Sequence, residues 1–276
     1  MLMSAARERF AALVTRGDEH IDLAEAALLI AQEAYPSLDV ATYLGRLDEL
    51  ATAARARVLA ATTAVEQIAR LNHFLFVERG FEGNRDNYYD PRNSFLNDVL
   101  DRRTGIPITL GLVYSEVAQR LGLPVCGVSF PGHFLVKYAG EVDVIVDAYF
   151  GTVIGLDECA RRLREVYGNK ARLDAQHLRP ATAREILVRL LSNLKQIYVN
   201  KNEFVQALGC VDRILLLTPE EPRELRDRGI LYQRLECFAP ALRDLERYLQ
   251  LAPDDETAPL IREILPDLHR QVAQLQ

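Results

Sequence analysis

A chain of 276 residues that is 49% hydrophobic and 26% charged, with 15 Gly and 12 Pro, has the composition of a folded protein of about two domains; a disordered or fibrous chain is excluded. Its 33 basic and 39 acidic residues leave a net charge of −6, which argues against a nucleic-acid scaffold held by bulk electrostatics. No run approaches the ~18 apolar residues that span a bilayer, and Met1–Arg9 meets charge before a signal-peptide core could form. The four cysteines (126, 159, 210, 237) are far apart and show neither CxxC nor Cys/His zinc spacing, so each reads as a small buried hydrophobe in a reducing compartment. A cytoplasmic address follows as the expectation, with no membrane or nucleic-acid partner.

Residues 4 to 78 read as amphipathic helices, one opened at Ser37 as N-cap after Pro36. Between Asn84 and Ser94 the chain turns polar and turn-forming. A short helix follows from Phe95 to Arg102, is broken at Gly105-Ile-Pro107, and gives way to a second that runs to Leu121 and stops at Gly122-Leu-Pro124. The period then switches to two: Val125–Phe130, Phe134–Tyr138 and Val142–Ala148 read as antiparallel strands of one small sheet, separated by Pro131-Gly132 and Ala139-Gly140.

From about 183 the chain is helical again and repeats. Tyr198, Phe204, Ala207, Leu208, Leu217 and Pro219 recur 34 residues on as Tyr232, Phe238, Ala241, Leu242, Leu251 and Pro253, the tetratricopeptide (TPR) pattern of paired antiparallel helices. Lys195 stands where the second copy has Gly229. Residues 257–274 form one more amphipathic helix, suited to cap the array. The expected division is 1–182, with a core at about 80–165, and 183–276. The repeat surface suits a protein or peptide partner; oligomeric state is left open.

The middle of the chain carries Arg79-Gly-Phe-Glu-Gly-Asn84, Tyr88-Tyr-Asp-Pro-Arg-Asn-Ser94, Arg102-Arg-Thr-Gly-Ile-Pro-Ile-Thr109, Phe130-Pro-Gly-His-Phe-Leu-Val136 and Val146-Asp-Ala-Tyr-Phe-Gly151. Together these resemble the bacterial SirB-type family, in which a transglutaminase-like domain is followed by TPR repeats. The resemblance implies an α+β, papain/transglutaminase-like core: helices on a small antiparallel sheet, with a nucleophilic Cys at a helix N-terminus and a His and an Asp from the sheet. Such a helix start lowers the thiol pKa, the His activates it and the acid fixes the imidazole.

His133 and Asp147 match the family's base and acid in chain order. Spacing adds to this. A hairpin symmetric about Gly140 pairs residues whose numbers add to 280, which sets His133 opposite Asp147. The nucleophile departs from the pattern. One helix length back from Gly122 falls on Pro107, and no Cys lies between 80 and 125. Thr109 is the nearest hydroxyl, read either as a nucleophile or as a first-turn cap. Cys126 lies after the helix, in or beside the first strand, where no helix terminus lowers its pKa.

Asn84, Tyr88, Tyr89, Asp90, Asn93 and Ser94 form a polar, aromatic loop beside the expected cleft, readable as a binding wall or as Asx turns and a helix cap; Pro107 and Cys126 complete the expected lining. No phosphate loop, dinucleotide fingerprint or metal-ligand cluster is present among the five His (20, 73, 133, 177, 269), so no cofactor and no metal are expected. Two readings remain: a non-catalytic or regulatory protein that binds a partner through the cleft and the TPR surface, favoured by the missing Cys, and a hydrolase or acyltransferase on peptide or amide bonds using His133 and Asp147 with an atypical nucleophile.

Overall fold

The computed structural model describes residues 4–140 and 142–274. Contacts divide the chain into two compact units, Met1–Leu190 and Leu191–Gln276.

The first unit opens with α1 (Ala5–Val14), α2 (Leu23–Ala34), α3 (Val40–Leu59) and α4 (Ala64–Asn72). Ser4, Asp22, Asp39 and Thr63 cap them, each side-chain oxygen accepting a backbone N–H two or three residues on. The cap of α3 is therefore Asp39 and not Ser37: a turn closed by the Leu38 N–H on the Tyr35 carbonyl (2.9 Å) delays the helix until the carboxylate is in place. α4 continues into a π-helical segment, His73–Glu78, in which the Arg79 N–H reaches back to the Phe74 carbonyl at 2.9 Å. That wider turn buries Phe74 and Leu75 while leaving Val77 exposed.

Two residues of β1 (Glu82–Gly83) pair in parallel with β2 (Thr104–Gly105). Between them lie the polar loop and α5 (Leu96–Arg102), which ends on Arg103 in the left-handed region at φ 58°. α6 (Pro107–Arg120) is buried along nearly its whole length, packing against α3 and against the sheet. That sheet has the order β3 (Val125–Val128), β4 (Leu135–Ala139), β5 (Asp143–Asp147), β6 (Thr152–Ile154), antiparallel throughout. The last strand has only three residues, too few to display a period of two in the sequence.

Gly111 lets α6 approach the sheet, since a Cβ there would stand 2.6 Å from the Phe134 ring. The opposite face buries Val128, Leu135 and Ile145 against Cys159 and Leu163 of α7 (Leu156–Tyr167).

The β4–β5 register corrects the symmetric hairpin. Val136 pairs with Val146 and Ala139 with Asp143, so the strands pivot one residue beyond Gly140. That register leaves His133 in the bend before β4, two residues short of the strand.

α8 (Ala183–Asn200) carries the chain into the second unit, followed by α9 (Phe204–Leu217), α10 (Pro222–Arg234), α11 (Phe238–Leu251) and α12 (Ala258–Gln274). The repeat is written in the backbone as well. Asn202 (φ 60°) and Glu236 (φ 59°) are both left-handed, and the residues before α9 and α11, Glu203 and Cys237, share nearly the same torsions (φ −86°, ψ 66° and φ −90°, ψ 70°). Gly229 admits Leu245, whose Cγ would lie 2.6 Å from an added Cβ. At the matching position of the first copy, Lys195 is ion-paired with Glu224 and Asp227, each at 2.8 Å. Ala241, Leu245, Tyr248, Ile261 and Leu268 form the core, with Tyr232 and Leu242 packed against it.

Candidate functional site

Asp147 ends β5 on the same face as Ile145, the face that α7 covers. Its carboxylate is fully buried and fully engaged. Oδ1 accepts from His133 Nε2 (3.0 Å) and from the backbone N–H of Tyr149 (3.0 Å) and Phe150 (3.3 Å); Oδ2 accepts from Arg162 at 2.5 Å. Burial alone would raise its pKa, but the hydrogen bonds and charges of His133 and Arg162 prevail and hold the carboxyl below the ordinary aspartate value. Arg162 is held in turn by Glu158, one helical turn earlier on α7.

With Asp147 ionised, the proton on the His133–Asp147 bond belongs to Nε2, so neutral His133 presents Nδ1 as an acceptor. Nδ1 has no hydrogen-bond partner among the described residues. The imidazole is stacked with Phe150 and meets Tyr149 edge-on, each with ring centroids 6.2 Å apart. The register expected from sequence was wrong by one residue in its pivot, yet the two side chains meet because the Pro131-Gly132 turn swings His133 back over the end of β5.

Tyr149 links this pair to the start of α6. Its ring lies against Gly83, where a Cβ would come within 2.5 Å, and its hydroxyl donates to the Asn84 carbonyl at 2.9 Å. The Asn84 N–H donates to Gly105 O. A cleft of about 600 Å³ opens here, lined among others by Gly83, Asn84, Arg85, Tyr149 and Phe150. Arg85 sits over the Phe150 ring at 5.1 Å.

The loop residues divide in two. Asn93 is fully buried: its amide donates to the Asn87 and Tyr88 carbonyls, and its Oδ1 accepts from Asn84. Asp90 caps the turn of Pro91–Asn93 and pairs with Arg92. Ser94 is buried. Asn93 and Asp90 hold the loop's shape, while the buried Ser94 Oγ has no hydrogen-bond partner among the described residues. Tyr88 and Tyr89 instead stand exposed, edge-to-face with each other, and Tyr88 meets Tyr149.

Pro107 occupies the first turn of α6 and is buried. The Thr109 hydroxyl, also fully buried, donates to Asn93 O (2.7 Å) and accepts from the Ile106 N–H (3.1 Å). It ties loop to helix, and no hydrogen bond joins it to His133 among the described residues. Cys126 lies elsewhere. Its Sγ donates to Lys137 O, burial pushes its thiol up, and it borders a separate cavity of about 380 Å³ with Ser115, Glu116 and Phe134. It does not line the cleft beside His133.

Arg162 and Tyr149 are site residues that sequence reasoning missed. Arg162 carried only the Glu158–Arg162 spacing of a solvated helix face. Tyr149 stood within a recognised motif, but its partner Asn84 is 65 residues away. Among the described residues no cluster could hold a metal ion and no helix is long and apolar enough to cross a membrane.

Comparison with known proteins agrees with this architecture. Residues 41–192 match the transglutaminase-like superfamily and residues 194–266 the tetratricopeptide repeat. A UPF0162 protein of Xylella fastidiosa strain Temecula1 is 42% identical over 264 residues, 94% of each chain. One from Vibrio cholerae serotype O1 is 34% identical over 78% of this chain and 81% of its own. The UPF0162 protein YchA of Escherichia coli K12 is 30% identical over 83% and 84%. With a transglutaminase-like domain followed by TPR repeats, as the motifs implied, and with these relatives, the chain belongs to the UPF0162 family.

Proposed function

We propose that the 1–190 unit binds peptide segments in the cleft beside His133 and does so without thiol chemistry, while the TPR unit offers a second surface to a protein partner. The observation that carries this reading is the start of α6, where Pro107 is buried and the Thr109 hydroxyl is already committed to Asn93 and Ile106. Thiol acyl transfer needs a thiolate at that helix N-terminus, and neither residue can replace it. What the site offers instead is an oriented imidazole stacked with the exposed ring of Phe150, and Tyr149 links it in turn to exposed Tyr88 and Tyr89, large rigid surfaces of the kind that anchor polypeptides. At the level of the family, the transglutaminase-like and TPR domains support a protein-interaction or regulatory role.

The test is fluorescence anisotropy of a labelled random hexapeptide library with the full chain. Binding is expected, weakened several-fold by Tyr88→Ala with Phe150→Ala, and the recovered peptides should be unchanged in mass. No binding by the wild type refutes the reading.

The 3.0 Å His133–Asp147 contact favours one alternative, a hydrolase or acyltransferase on peptide or amide bonds. There Nδ1 would take the proton of an attacking water or of another atypical nucleophile. Recovered peptides cleaved or deamidated by the wild type, and intact after incubation with His133→Ala, would establish that alternative instead.

A further inference from the structure

Arg189, on α8 near the end of the first unit, is held in an unusual way. Its Nη1 donates to Ser129 Oγ and to the Phe130 carbonyl, both at 2.9 Å. That same carbonyl accepts the backbone N–H of His133 at 3.1 Å. One oxygen therefore ties the guanidinium to the turn that presents the imidazole. The guanidinium carbon lies 6.0 Å from the centroid of Phe134, the residue after His133.

Both of these acceptors are neutral, and among the described residues no carboxylate pairs with Arg189. Burial pulls this guanidinium below its ordinary pKa, with the phenol of Tyr88 opposing the shift. Arginine stays protonated in proteins. A half-buried, uncompensated cation is costly, and an incoming anion offsets that cost. Of the site's other cations, Arg162 is already spent on Asp147 and Glu158, and Arg85 lies over the Phe150 ring. Arg189 makes no bond through Nε or Nη2 among the described residues, and that pair of donors matches the two oxygens of a carboxylate.

We infer that Arg189 seats a carboxylate of a bound peptide, whose chain then crosses the aromatic wall of Tyr88, Tyr149 and Phe150 beside His133. This rests on the peptide-binding reading above and names the chemistry selected: a peptide with a negative charge at one end of the contact. The carboxylate belongs either to the peptide's C-terminus or to an Asp or Glu side chain.

Four labelled hexapeptide libraries separate these cases: random sequence with a free C-terminal carboxylate, the same as the carboxamide, and two acetylated carboxamide libraries with Glu or Gln fixed at the fourth position. The full chain is expected to bind at least one carboxylate-bearing library about tenfold or more tighter than its neutral counterpart, as charge-assisted hydrogen bonds imply. The member of each pair that is preferred identifies the source. Arg189→Gln should abolish the ratio between charged and neutral libraries, whatever it does to the affinity for both, and Arg189→Lys should keep part of that ratio. If Arg189→Gln melts early, the wild-type preference and its loss at high salt are read alone. Equal binding of charged and neutral libraries, or a preference that survives Arg189→Gln in a folded variant, overturns the inference and leaves peptide binding intact. If no library binds, the peptide reading itself fails and the inference falls with it.

Discussion

Replacing Asp147 should cost far more than replacing His133, because the two are unequal partners. The fully buried Asp147 side chain accepts from four donors, and Asp147→Ala leaves two backbone N–H groups unpaired and Arg162 with Glu158 alone. Breaking a buried pair by deleting one member costs about 3–5 kcal/mol. His133→Ala removes one hydrogen bond from a ring that keeps some contact with water, about 1 kcal/mol. For a unit of this size each kcal/mol moves the melting midpoint by about 2–4 °C. Asp147→Ala should therefore lower it by about 6–20 °C and His133→Ala by about 2–4 °C. Asp147→Asn keeps an acceptor for the Tyr149 and Phe150 N–H groups but loses the Arg162 ion pair, and should fall between. The sign with pH is also set. Because the folded carboxyl lies below its ordinary value, its contribution is complete above the unfolded pKa of about 3.9 and is lost as pH falls through the lower folded value. The gap between wild type and Asp147→Asn should be constant near neutrality and narrow on the acid side of about pH 4. Circular-dichroism melts of the four proteins across pH measure all of this. Equal losses for His133→Ala and Asp147→Ala, or a gap that widens in acid, would refute the reasoning.

Thiol reagents on the native protein should label exposed Cys237 first and the buried Cys159 and Cys210 last. Cys126, raised by burial, should react slowly and at the same rate in His133→Ala; a rapid, His133-dependent reaction at Cys126 would revive thiol catalysis. Thr109→Val should destabilise by about 1–3 kcal/mol, since it removes a buried donor and acceptor while leaving Asn93 O and the Ile106 N–H unpaired; chemical denaturation checks this, and Thr109→Ser should restore most of the loss. In the repeats, Gly229→Ala should cost about 1–3 kcal/mol by crowding Leu245. Glu236→Gly should stabilise by up to about 1 kcal/mol by relieving the left-handed torsion; melts that place these two substitutions in the opposite order would show that the repeat does not pack as described.

The repeats were legible in the sequence because a stacked helix pair demands the same residue sizes at the same depth in every copy, and the torsions of Asn202 and Glu236 obey the same interval. The dyad was legible in chain order and only partly in geometry. Hairpin symmetry is a guess about a turn, and a pivot one residue away changes every cross-strand partner; His133 reaches Asp147 from a bend that no periodicity describes. The loop from Asn84 to Ser94 announced its density of hydrogen-bonding groups, but not that Asn93 would turn inward while Tyr88 and Tyr89 turned out. Arg189 gave no local sign, and Arg162 only its spacing from Glu158. Their partners at the site lie about 60 and 15 residues away, respectively, and only the folded chain brings them together.

The π-helical segment His73–Glu78 has a consequence for changes of chain length. A π turn holds one residue more than an α turn between bonded groups, so this stretch equals an α-helix with a single residue to spare. Phe76 projects from it to stack on Tyr114 and to lie against Gly151, next to the cleft. Removing one residue, for instance exposed Val77, would let the helix close in α register without cutting the chain. The surplus would vanish, and Phe76 would lose its place between Tyr114 and Gly151. The wall of the cleft thus depends on a count of residues in a helix that forms no part of the sheet, and one-residue deletions there should be felt at the site before they are felt in the fold.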